Sequence, residues 1–118
     1  MIRKTTLLHL LMLMLGALVT NLTLAAEPKE NWSKHCAKCH GNEGIGNTKQ
    51  GRKLHIKNLT SAGVQSRLTD KRILDSLKDG IQSDDGEEQM PSFKEKLSEA
   101  ERNDLIPYIR ALGSKAKS

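Results

Sequence analysis

The apolar side chains of this chain are distributed unevenly, and this limits what the chain can fold into. Of its 43 apolar residues, 17 lie in the first 26 positions, which leaves 26 in the other 92. Only three side chains are aromatic, namely Trp32, Phe93 and Tyr108. A segment this poor in apolar surface approaches the composition at which chains stay disordered. We therefore expect a disulfide, a metal or a cofactor to supply what the core lacks.

The apolar N-terminal segment has the pattern of a secretory signal. Arg3 and Lys4 form a basic start, an apolar stretch covers residues 7–19, and small residues follow at 23–26. The stretch is shorter than the roughly 20 apolar residues that a membrane-spanning helix needs. This favours a cleaved signal over an uncleaved anchor.

The cleavage point divides the chain into a leader and one domain. Small residues at positions −3 and −1 relative to the cut favour cleavage after Ala25, and cleavage after Ala26 fits nearly as well. We expect residues 1–26 to be a cleaved signal peptide and residues 27–118 to be a single periplasmic domain. We expect this domain to be a monomer without stable membrane insertion.

Charge excludes one class of partner. Loss of the signal removes two basic and no acidic residues, so the formal net charge falls from +5 to +3. The remaining basic residues concentrate in 27–57 and the acidic residues in 70–104. Because no basic helix or basic strip interleaved with aromatic residues is present, we expect no nucleic-acid binding. The charged segments are solvated surface or a docking surface for a protein.

The periodic segments are all helical, and strand-type alternation is absent. A first helix is predicted over about 28–39, with Trp32 one turn before Cys36 on the same face. A second is predicted to begin after Thr69 as N-cap and to end near Gly80. The pattern therefore predicts an all-α fold.

The third helix has the strongest signals. Residues 98–101 (Ser-Glu-Ala-Glu) form a capping box, and Gly113 is the predicted end of the helix. Pro107 predicts a bend inside it. Its apolar stripe consists of Leu105, Ile106, Ile109 and Leu112.

Between the first and second helices lies a loop of about 29 residues, far longer than a compact domain leaves empty, so we expect a bound group to fill the space beneath it.

The sequence Cys36-Ala37-Lys38-Cys39-His40 indicates what fills that space. C-x-x-C-H is the attachment signature of c-type haem. Two thiols one helical turn apart can bond to the porphyrin vinyl groups, and the adjacent histidine then falls under the iron. We therefore expect one haem c, bound covalently by Cys36 and Cys39 and ligated by His40.

Three other interpretations compete with haem attachment. A redox-active C-x-x-C dithiol is expected in a strand-helix-strand context, and the sequence pattern here contains no such context. A plain disulfide between the two cysteines would leave the histidine and the poor core unexplained. A zinc site would need a fourth ligand, from His35 or His55.

The second axial ligand follows by elimination. The other three methionines belong to the signal, so Met90 is the only thioether of the mature protein. Its loop can bring the sulfur to the distal side of the iron. His55 is the competing distal ligand, and a five-coordinate iron with Met90 packed nearby is the third possibility. Candidate walls of the pocket are Leu54, Leu59, Leu68, Ile73 and Leu97.

The sequence resembles the small class I cytochromes c, particularly bacterial single-haem forms, over nearly all of residues 28–113. Trp32 stands four positions before the 36–41 run (Cys-Ala-Lys-Cys-His-Gly), Met90-Pro91 follows some fifty residues later, and 105–110 (Leu-Ile-Pro-Tyr-Ile-Arg) closes the pattern. The resemblance implies a cytochrome c fold: three main helices and long loops around one covalently attached haem. It further implies that the first and third helices cross near perpendicular, and that one haem edge is exposed.

One segment departs from the pattern of that family. Such proteins often have a Pro-Asn-Leu-like segment whose proline carbonyl accepts a hydrogen bond from the proximal histidine, and here the segment is Lys57-Asn58-Leu59. A backbone carbonyl can still serve in this role.

Function follows from the coordination. An iron held by His40 and Met90 has no open site for substrate, so we expect a periplasmic single-electron carrier and not an enzyme. Its expected partners are a quinol-oxidising complex, a terminal oxidase or reductase, or a dehydrogenase. A dedicated cytochrome subunit of one dehydrogenase is the alternative, followed by a five-coordinate haem protein that reacts with gases or peroxide.

Overall fold

The structure is a computed structural model that describes residues 26–115. Apart from Ala26, the predicted signal peptide lies outside the described residues. The described part contains six helices and one two-stranded hairpin. In chain order they are α1 (Pro28–His35), α2 (Ala37–His40), α3 (Lys49–Lys53), α4 (Ala62–Arg67), α5 (Asp70–Asp79), β1 (Ile81–Gln82), β2 (Glu88–Met90) and α6 (Glu99–Lys115). None of these helices has the length and apolar character that crossing a membrane requires.

The predicted first helix is divided into α1 and α2 at Cys36. This residue has φ −114° and ψ −38°, away from ideal helical values. The hydrogen bonding continues across the break, because the Cys36 amide donates to the Trp32 carbonyl at 2.8 Å and the His40 amide donates to the Cys36 carbonyl at 2.9 Å. The attachment segment is therefore one locally distorted helical unit that ends at His40.

The two other predicted helix starts are confirmed. The hydroxyl of Thr69 accepts a hydrogen bond from the Arg72 amide at 3.1 Å, and α5 follows. The capping box of α6 is reciprocal. The Glu101 amide donates to the Ser98 hydroxyl at 3.1 Å, and the Ser98 amide donates to the Glu101 carboxylate at 2.8 Å.

The predicted end of α6 at Gly113 was wrong, because the helix continues to Lys115. Gly113 instead allows a close approach between helices. A Cβ at this position would lie 2.6 Å from Cγ of Gln65 in α4. The glycine here therefore makes room for the Gln65 side chain and does not form a turn.

The long loop and the segment before Met90 contain structure that the sequence pattern did not indicate. The loop includes α3, whose N-cap Thr48 accepts a hydrogen bond from the Gly51 amide at 2.8 Å, and α4. The chain after α5 forms an antiparallel hairpin in which Ile81 pairs with Met90. Both additions are short and leave the fold mainly helical.

The core lies where α1 and α5 pack against α6. Trp32 of α1 contacts Tyr108 of α6 with ring centroids 5.5 Å apart. The near-perpendicular crossing of these helices stays a prediction. The buried apolar residues are Trp32, Cys36, Ile73, Leu77, Phe93, Leu97, Leu105, Ile109 and Leu112.

Candidate functional site

A cavity of about 760 Å³ lies beneath the long loop, between the α1–α2 unit, α5 and the hairpin. All four residues predicted to hold the haem line it, namely Cys36, Cys39, His40 and Met90. The volume is within the range of cofactor and ligand sites in proteins. A second depression, of about 420 Å³, lies between α4 and the end of α6 and contains none of the four.

The helical geometry around Cys36 places the two thiols one turn apart, and both are free. Burial, followed by the neighbouring Cys39, raises the pKa of the Cys36 thiol to about 12. Redox-active C-x-x-C motifs depend on a lowered cysteine pKa. The setting of Cys36 therefore does not fit the dithiol interpretation.

His40 is the last residue of α2. Burial lowers the pKa of its imidazole, which favours the neutral form that binds metals. Its Nδ1 is buried and has no hydrogen-bond partner among residues 26–115. In particular, no carbonyl of residues 57–59 reaches it. The ring of Trp32 lies beside it at 5.6 Å between centroids, and the Trp32 indole donates to the Gly41 carbonyl at 3.0 Å.

The structure brings both candidate distal ligands to the cavity. Met90 is half-buried at the end of β2, and Pro91 after it also lines the wall. His55 is exposed and lines the cavity from the long loop. His55 has φ +52°, the only positive φ of a non-glycine residue in the described chain.

The candidate wall residues divide into two groups. Leu54, Leu59 and Leu68 line the cavity. Ile73 and Leu97 belong to the buried core instead. The three leucines of the long loop thus form part of the cavity wall, whereas the other two residues pack in the core and do not line the cavity.

The charge of the cavity wall was not foreseen from the sequence. Arg67, Arg72 and Lys57 line it, and no aspartate or glutamate does. The positive side chains come from the end of α4, the first turn of α5 and the long loop. They belong to three different parts of the fold, so no local pattern indicates that they meet at one cavity.

The donor set fits an attached haem better than a bare metal ion. Among residues 26–115, no group of three or more histidine, cysteine or carboxylate side chains could hold a metal ion. Two free thiols, a neutral imidazole and a thioether around one cofactor-sized cavity are the groups that a c-type haem uses.

Comparison with known proteins agrees with this donor set. Residues 23–109 match the family model described as cytochrome c oxidase, cbb3-type, subunit III. A solved structure described as KustC0563 c-type cytochrome is 30% identical, with a TM-score of 0.66, and the match covers 74% of this chain and 98% of that chain. A point mutant of the same protein has a TM-score of 0.64 at 30% identity, over 74% of this chain and 99% of that one. The comparison with curated proteins gives no match.

Proposed function

The chain belongs to the family described as cytochrome c oxidase, cbb3-type, subunit III, and on that premise we propose that this electron-transfer haem protein is a diffusible periplasmic carrier. A c-type cytochrome contains covalently bound haem c, whose iron supplies reversible one-electron chemistry. The family favours a carrier over an enzyme.

Four residues hold the group in this proposal. Cys36 and Cys39 provide the two thiols for attachment, and His40 provides a neutral imidazole nitrogen for the iron. Met90 would supply its thioether sulfur as the other iron ligand, which would leave the iron no open position for a substrate. The observation that carries the proposal is the convergence of these four residues on one cavity of about 760 Å³.

The assignment of Met90 is tested by spectroscopy of the oxidised holoprotein. A methionine–iron bond gives a weak far-red absorption band. We expect the band in the wild type, its loss in Met90→Ala, and its retention in His55→Ala. Persistence of the band in Met90→Ala, or its loss in His55→Ala alone, would assign the distal position to another group.

The proposed cleavage after Ala25 has support in a contact of Ala26. The Ala26 amide nitrogen donates to the Glu101 carboxylate at 3.1 Å. Cleavage after Ala25 makes this nitrogen an ammonium group and turns the contact into a charge-assisted hydrogen bond. We therefore place the cut after Ala25, one residue before the bound of 26 given from the sequence, and expect the mass of the mature protein from the periplasmic fraction to match a chain that starts at Ala26. A start at Glu27, or retention of residues 1–25, would contradict this.

Partner recognition is proposed to be electrostatic. The exposed turn of the hairpin bears Asp84, Asp85 and Glu87 close to Met90 in the chain, whereas Lys38 and Lys49 lie on the attachment side. Attraction between opposite charges accelerates association and is screened by salt. Electron exchange with a charged partner should slow as salt rises, and charge reversal at one of these two patches should remove the dependence. Rates independent of salt would reject electrostatic docking.

A dedicated cytochrome subunit is the second candidate, since the matching family model itself describes an oxidase subunit. The two candidates differ in assembly. A diffusible carrier is recovered from the periplasm as a monomer, whereas a subunit co-purifies with its enzyme complex in constant ratio.

A further inference from the structure

The C-terminal end of α5 is in contact with the segment that contains Met90. The last carbonyls of a helix have no partner within the helix. Here the Phe93 amide donates to the Leu77 carbonyl at 2.9 Å, and the Ser92 hydroxyl donates to the Lys78 carbonyl at 2.5 Å. The residues that directly follow Met90 and Pro91 therefore cap α5, so the backbone of this segment is tied to the end of a helix.

Gly80 lies between that helix end and the Met90 segment. It has φ +76°, a conformation that glycine adopts without strain. A Cβ built on Gly80 would lie 2.5 Å from the Met90 carbonyl oxygen and 2.8 Å from the Ser92 nitrogen. These are backbone atoms, which cannot rotate aside as the end of a side chain can.

The hairpin adds a second contact to the Met90 backbone. Ile81, the residue after Gly80, pairs with Met90 in the β1–β2 ladder. The backbone of Met90 thus lies against residues 80 and 81, and the residues after it are tied to α5 by the two hydrogen bonds. The Met90 side chain begins from this fixed backbone and lines the cavity.

We propose that Gly80 is a positioning residue for Met90: its lack of a side chain lets the Met90–Ser92 backbone lie against the end of α5, which sets how far the sulfur extends toward the iron. This proposal rests on the proposed role of Met90 as axial ligand. Any side chain at position 80 should push the Met90 segment outward and weaken the methionine–iron bond.

The structure offers a matched control for this test. Gly86, at the turn of the same hairpin, has φ +83°, and a Cβ there would meet nothing within 4 Å. Alanine at either position would stand at positive φ, but only Gly80→Ala also introduces the overlap with Met90. Gly86→Ala therefore controls for a side chain at positive φ in the same hairpin.

The measurements are the far-red methionine–iron band and the reduction potential of the holoproteins, with thermal unfolding as a check of the fold. Relief of the overlap should raise the ratio of methionine-free to methionine-bound oxidised protein about tenfold in Gly80→Ala. The reduction potential should fall, because loss of the methionine ligand favours the oxidised iron. Gly86→Ala should keep the band and potential of the wild type.

A second variant tests the tether without adding volume. Ser92→Ala removes the hydrogen bond to the Lys78 carbonyl, and we expect about a fivefold rise in the same ratio. If Gly80→Ala does not accumulate as holoprotein, Ser92→Ala alone tests whether the contact with α5 positions Met90. The proposal is overturned if Gly80→Ala folds and keeps the wild-type band and potential, if Gly86→Ala loses the band equally, or if Ser92→Ala leaves the ratio unchanged. A band that survives Met90→Ala would instead overturn the proposed ligand.

Discussion

Glu101 connects the start of α6 to the N-terminal end of the described chain. One carboxylate oxygen accepts from the Ser98 amide at 2.8 Å and the other accepts from the Ala26 amide at 3.1 Å. These backbone hydrogen bonds, that of Ser98 first, hold the pKa of Glu101 below its ordinary value of about 4.5. The ionised form is therefore favoured in the folded protein.

The lowered pKa of Glu101 determines how the stability of the protein depends on pH. Because the folded-state pKa is lowered, the stabilisation is present above the ordinary pKa and is lost as the pH falls through the folded-state pKa. We expect the unfolding temperature to fall between about pH 5 and pH 3, and to fall less in Glu101→Gln. Glu99→Gln, in the same helical turn, is the control and should behave as the wild type. Identical profiles for Glu101→Gln and the wild type would refute this role.

At the scale of elements, Arg110 joins α6 to α4 and α5. Its guanidinium donates to the Gln65 carbonyl at 3.0 Å, to Asp70 at 2.7 Å and to the Leu68 carbonyl. The side chain is 34% exposed, so it is partly shielded from water. The ion pair between Lys71 and Asp75 of α5 differs, because these side chains are 84% and 53% exposed.

The two cations should therefore contribute unequally to stability. We expect Arg110→Met to lower the free energy of unfolding by about 2 kcal/mol, since it leaves the Gln65 and Leu68 carbonyls and the Asp70 carboxylate without their donor. Lys71→Met should cost less than about 0.5 kcal/mol. Chemical denaturation of both holoproteins gives the comparison. Equal losses would show that Arg110 is only a surface charge.

The elements also show which parts of the fold could be predicted. The caps at Thr69 and Ser98 act within one helical turn, so the sequence predicts α5 and α6 from their starts. The end at Gly113 was mispredicted because the reason for that glycine is the close approach of Gln65, 48 positions earlier. Contacts across such separations have no local signal.

The candidate site also contains residues that the sequence could predict and contacts that it could not. Cys36, Cys39 and His40 could be predicted as haem-binding residues because this chemistry requires neighbouring positions, and all three line the cavity. The cap that residues 92–93 form on α5 was not, because it joins backbone groups and needs no particular residue type except Ser92. The arrangement of Arg67, Arg72 and Lys57 around the cavity likewise depends on the tertiary fold.

At the scale of the whole molecule, a small apolar core lies beside a large cavity. The described chain buries nine apolar residues, and the cavity measures about 760 Å³. An apolar group in that space would extend the core and offset the conformational entropy of the long loop. Folding should therefore depend on the haem.

We expect the variant Cys36→Ala with Cys39→Ala, which prevents attachment, to have little helix and no cooperative unfolding transition. The wild-type chain produced without haem attachment is the matched control and should behave alike, which separates loss of haem from loss of the thiols. Circular dichroism during thermal unfolding measures both. Native-like helix content with a cooperative transition in either haem-free chain would contradict this dependence.

The central claim is that His40 and Met90 both ligate the haem iron, so that the protein exchanges electrons and does not bind a substrate at the metal. Carbon monoxide binds reduced haem iron that has an open position, so its addition to the reduced holoprotein tests the claim directly. We predict an unchanged absorption spectrum for the wild type, and a carbon monoxide spectrum for Met90→Ala, whose distal position is open. A rapid and stoichiometric change in the wild-type spectrum would contradict the account and indicate a five-coordinate haem that reacts with small ligands.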